Sequence, residues 1–115
     1  MNRRIRHALL ATALLLAQPE LALGDTLSPS QLISPADFTP QEAAYYAKLT
    51  DPDVAKNFIA TRSYVRLCKA VLDKTMPAEQ LPDKPMGFSV RYTLPGEVQI
   101  INNAIAASIV AQAKQ

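Results

Sequence analysis

The stretch from Pro52 to Lys74 repeats apolar side chains at the period of an α-helix, and nothing else in the chain constrains the fold as strongly. At about 100° per residue, Val54, Phe58, Thr61, Tyr64, Val65, Cys68, Val71 and Leu72 fall on one broad face. Arg62, Arg66 and Lys69 form a ridge beside it. Such an element has a core face and a wet face, so other elements must cover the first. Asp51-Pro52 marks its start, with an acid to cap the helix and a proline at the first helical position.

Two further helices are expected around it. Thr39-Pro40-Gln41-Glu42 is a capping box with a proline at the first position, and it predicts a helix to about Leu49. Phe38 is placed to pack on Ala43 or Ala44 as a hydrophobic staple. From Glu97 to Lys114 the helical period returns at Val98, Ile101, Ile105, Ile109 and Gln112, flanked by many alanines.

The segment between these helices behaves differently. Pro77, Pro82 and Pro85 forbid a long helix. Residues 88–94 then alternate: Phe88, Val90, Tyr92 and Leu94 on one face, Ser89, Arg91 and Thr93 on the other, the pattern of a half-buried strand. A lone strand leaves backbone groups unpaired. Residues 88–94 are therefore expected to be either an extended connector lying on the helices or a strand that pairs with another chain. The expected fold class is mainly α: a small three-helix domain, residues 39–115, with one extended or β segment at 88–94.

The N-terminus reads as an export signal. Arg3, Arg4 and Arg6 precede an apolar run from Ala8 to Ala17, and Ala22-Leu23-Gly24 offers small residues for cleavage. The run is about half the roughly 20 residues needed to span a bilayer. Residues 1–24 are thus expected to be a cleaved signal peptide, the localisation periplasmic or secreted, and no stable membrane span to remain. Residues 25–38, with Pro29 and Pro35 among serines, read as an extended lead-in.

Removal of residues 1–24 alters the charge. The full chain carries 12 basic and 10 acidic residues. The signal holds Arg3, Arg4, Arg6 and Glu20, so nine of each sign remain. A neutral chain has no general attraction to nucleic acid. His7, the one histidine, also leaves with the signal. Without histidine, a Ser–His–Asp triad, a Cys–His pair and a histidine metal site are excluded within one chain. Only Gly87 and Gly96 remain among the glycines, too few for a phosphate loop. No cofactor and no metal site are expected. Cys68 lacks a disulfide partner and falls on the core face, where a small apolar role is expected.

Two functions fit these residues. The first is an exported, non-catalytic interaction module whose partner is another envelope or secreted protein or a second copy. Its contact is expected at the strand-like residues Phe88, Val90 and Tyr92. The alternative is a small helical enzyme or carrier that binds an acidic small molecule through Arg62, Arg66, Lys69 and Arg91. Convergence of those cations on an enclosed cavity favours the second; an open ridge beside an exposed apolar strip favours the first.

Overall fold

Asp51 Oδ1 accepts the N–H of Asp53 at 2.9 Å, and Pro52 follows the cap, so the longest helix starts where its sequence signal lies. The computed structural model describes residues 26–115. The expected signal peptide lies outside the described residues. Three α-helices carry the fold: α1 (Pro40–Tyr46), α2 (Pro52–Leu72) and α3 (Glu97–Ala113). Single 3-10 turns occupy Pro29–Gln31, Pro35–Asp37, Ala78–Gln80 and Val90–Tyr92. The described residues are mainly helical and contain no strand.

Each helix has a local cause. In α1 the capping box closes both ways: the Glu42 N–H donates to Thr39 Oγ1 at 3.1 Å, and the Thr39 N–H donates to Glu42 Oε1 at 2.9 Å. The helix stops at Tyr46, short of the expected Leu49, and tighter turns carry the chain on to Leu49. At the end of α2, Lys74 adopts a left-handed backbone (φ 67°), and the Thr75 N–H returns to the Ala70 carbonyl. That closure satisfies carbonyls the helix leaves open. Gly96, at φ 87°, caps the start of α3, a backbone that costs other residues about 1–2 kcal/mol.

The core lies mainly between α2 and α3. Tyr64, Val65, Cys68 and Val71 from α2 meet Ile101 and Ala104 from α3, with Leu81 and Leu27 closing the ends. Burying a large apolar side chain stabilises by roughly 1.5–3 kcal/mol. Leu27 belongs to the lead-in, so that segment is packed against the domain rather than simply extended. Its two 3-10 turns are held further by the Ile33 N–H, which donates to Ser63 Oγ at 2.9 Å. A second, aromatic cluster surrounds Phe58, with Tyr45 stacked on it at 5.2 Å and Phe38 and Tyr92 edge-on at 5.7 and 5.8 Å. Phe38 packs edge-on against Tyr46 and Phe58.

Three expectations are corrected. Residues 88–94 form no strand. Ser89 and Thr93 are extended, but Val90–Tyr92 is a single 3-10 turn. Its polar groups close locally: the Tyr92 N–H donates to the Ser89 carbonyl and the Thr93 N–H to the Val90 carbonyl, each at 3.1 Å. The Arg91 N–H donates to Ser89 Oγ at 3.2 Å, and the Ser89 N–H is taken by Thr61 Oγ1 of α2 at 3.0 Å. Second, Arg62 is not on a wet face but buried, at 4% exposure. Third, the buried positions of α3 are Glu97, Ile101, Ala104 and Ser108, while Val98 and Ile109 face outward.

Candidate functional site

Arg62 sits midway along α2, where helical spacing aims it at the gap between α1 and the start of α3. Two carboxylates meet it there. Its Nε donates to Glu42 Oε2 at 2.7 Å. Its Nη1 and Nη2 donate to Glu97 Oε1 and Oε2 at 2.6 and 2.9 Å, a two-pronged pairing. Nη1 also donates to the Tyr92 carbonyl at 3.0 Å. One guanidinium thus ties α1, α2, α3 and the 90–92 turn together, using the planar fork that suits arginine to buried carboxylates.

The other two cations of the ridge extend this network. Arg66 Nη2 donates to Glu42 Oε1, and Lys69 Nζ donates to Glu97 Oε2 at 3.3 Å. Lys69 thus pairs with Glu97 rather than with Asp73, four residues on. Backbone donors complete both carboxylates: Thr39 N–H on Glu42, and Leu94 N–H on Glu97 at 2.6 Å. No buried side-chain nitrogen or oxygen among the described residues lacks a partner.

The electrostatics follow from this geometry. Burial alone pushes the Glu97 carboxyl up, yet the Arg62 fork, the Leu94 N–H and Lys69 outweigh it and hold Glu97 at about 2. Burial acts on Glu42 in the same sense, and Arg62, the Thr39 N–H and Arg66 again outweigh it, so Glu42 is also lowered. For Arg62, burial disfavours the cation, but Glu97 and Glu42 hold its proton more firmly than usual. All of these groups are charged at neutral pH, and none is poised to exchange a proton there. Cys68 is fully buried; burial drives its thiol up to about 11 against the opposing influence of Tyr64 and Lys84. A thiol so raised is a poor nucleophile.

Of the residues singled out in the sequence, the structure gathers Arg62, Arg66 and Lys69 around two acids. Arg91 stands apart on the exposed side of the 90–92 turn, with no side-chain partner among the described residues. It shares a cavity of about 110 Å³ with Arg62, walled by Tyr45, Phe58, Tyr92 and Leu94. The strand-like trio separates: Tyr92 is buried against Phe58, Phe88 packs edge-on to Tyr64 at 5.9 Å, and Val90 projects into solvent at 60% exposure. Glu42 and Glu97 were legible only as helix-start acids. They lie 20 and 35 residues from Arg62 in sequence, too far for any local pattern to join them.

The outer face of α3 is the other notable surface. No side chain from Val98 to Ala113 is ionisable. Val98, Ile109 and Val110 are 42%, 62% and 54% exposed. Ala106, Ala107, Val110 and Ala111 floor a groove of about 560 Å³, rimmed by Glu79 and Lys114. No helix of the described residues is long and apolar enough to cross a membrane, and no group of three or more potential metal ligands occurs among them. The chain matches no protein family, and no characterised protein or solved structure shows significant similarity to it.

Proposed function

We propose that this chain is an exported, non-catalytic interaction module that docks another envelope or secreted protein on the outer face of α3. The observation that carries the reading is the uncharged, partly apolar exposed face from Val98 to Ala113. Surface helices ordinarily carry charge on their wet side, whereas the centres of protein interfaces are depleted of it. The pairing of Arg62, Arg66 and Lys69 removes the open ridge expected beside the apolar strip, and it leaves those cations little capacity to grip a substrate anion.

The matching partner surface is uncharged and apolar, such as the apolar face of an amphipathic helix laid along the Ala106–Val110 groove. A second copy fits less well. Two α3 helices crossing antiparallel at Ala106 set Asn102 against Val110 and Asn103 against Ile109. That buries amides on apolar side chains, which costs free energy.

A photoreactive amino acid at position 109, placed in the chain in its native host, tests the reading. The expected product is one discrete adduct with another protein, absent when the probe stands at Lys48 and lost with Val110→Lys. Adducts of two copies would move the interface to self-association. No adduct, or equal adducts from position 48, would refute docking on α3.

A further inference from the structure

We propose that the cavity between α1, α2 and the Val90–Tyr92 turn is a binding site for a small carboxylic acid with a compact apolar body, held at its mouth by Arg91. This site is separate from the α3 face, and the proposal does not rest on the interaction reading.

The walls set the body of the ligand. Tyr45 lies parallel to Phe58 and edge-on to Tyr92, at 5.2 and 6.0 Å, and Leu94 completes an apolar lining. The volume, about 110 Å³, falls below the roughly 150 Å³ that accommodates benzene in an apolar protein cavity. It falls further below the roughly 300 Å³ at which pockets for drug-sized molecules begin. A body of one small ring or a short branched chain fits with part of it at the opening.

The charges set the head group and its orientation. Glu42 and Arg62 line the inner end, but each is already committed. Glu42 accepts from Thr39, Arg62 and Arg66, and Arg62 donates to Glu42, Glu97 and Tyr92. The lowered pKa of Glu42 keeps it anionic, so a carboxylate pushed to the inner end meets a like charge. At the mouth, Arg91 has no acidic partner among the described residues. Among the charged side chains that line the cavity, Arg62 and Arg91 exceed Glu42 by one positive charge. An amine therefore meets net repulsion despite the aromatic rings, and a carboxylate meets attraction. The ligand enters body first and leaves its carboxylate on the guanidinium.

Amide NMR titration of the purified protein with benzoate, benzyl alcohol and benzylamine tests this. Benzoate is expected to give saturable shifts centred on Tyr45 and residues 91–94. Arg91→Gln is expected to weaken benzoate about tenfold, the loss of one hydrogen-bonded charge pair, and to leave benzyl alcohol unchanged. Because Arg91 is exposed and has no side-chain partner among the described residues, the variant keeps its fold, which its own amide spectrum verifies. Absence of saturable shifts, shifts centred elsewhere, equal affinity for benzylamine, or benzoate binding untouched by Arg91→Gln would each overturn the proposal.

Discussion

Glu97 receives both Nη groups of Arg62, at 2.6 and 2.9 Å, from a position 35 residues further along the chain. The pair fixes the first turn of α3 against the middle of α2, and Glu42 fixes α1 on the opposite side of the same guanidinium. The sequence presents Arg62, Arg66 and Lys69 as a solvated ridge; the fold uses them as an internal joint.

Arg62→Ala should be severely destabilising. It leaves Glu42 and Glu97 buried without their main counter-charge, a loss of about 3–5 kcal/mol for a broken buried pair. A small domain has only about 5–15 kcal/mol in total. Urea unfolding followed by circular dichroism measures the change. Arg66→Ala, which removes a half-exposed partner of Glu42, should cost about 1 kcal/mol. Equal, small losses for the two variants would mean that Arg62 is not the joint.

Stability should fall in acid. Glu97 and Glu42 have folded-state pKa values below their unfolded ones, so each stabilises the fold above the unfolded value near 4.5. That contribution is lost as pH drops from about 5 toward 2, where the folded Glu97 takes up its proton. Thermal melts across pH 7 to 2 should show a progressive decrease in Tm through this window. A Tm flat to pH 3 would contradict the prediction.

Val90→Pro should be tolerated. The Val90 N–H has no acceptor among the described residues, position 90 opens a 3-10 turn, and Ser89 before it is extended, as a residue preceding proline prefers. Helix content and urea midpoint should match wild type, with a change within about 0.5 kcal/mol. A loss of several kcal/mol would mean that the Val90 N–H has an acceptor or that position 90 does not accept the proline backbone angle.

Cys68→Ala should cost about 1 kcal/mol or somewhat more, because a sulfur-sized gap in a filled core is small. In the native protein the thiol should react with a disulfide reagent only as fast as the fold opens. Rapid stoichiometric labelling at pH 7 would contradict its burial.

Local signals were legible where local physics decides. The Thr39 capping box and the Asp51-Pro52 start are both present as read, and α3 begins at Glu97 as expected. The apolar face of α2 was mostly legible too, since Phe58, Tyr64, Val65, Cys68 and Val71 are all buried. What was not legible is tertiary. The period of α2 places Arg62 beside the core, but only acids distant in sequence decide whether that position is wet. Residues 88–94 alternate because Tyr92 turns into the aromatic cluster and Phe88 onto Tyr64, while a 3-10 turn throws Val90 outward. The same alternation would have served a strand, and the Ser89 side chain together with Thr61 of α2 tips the backbone toward the turn. In α3, apolar residues surround the helix so evenly that their period did not identify the covered side.

The joint between α2 and α3 depends on Glu97 being clamped by Arg62, and carboxyl-carbon NMR of the folded protein reports that directly. Following the side-chain carboxyl shift of Glu97 from pH 7 downward should give a midpoint near 2, well below the ordinary value of 4.5. A midpoint at 4 or above in the folded protein would show that the clamp is not made, and that the basic ridge is free to bind something else.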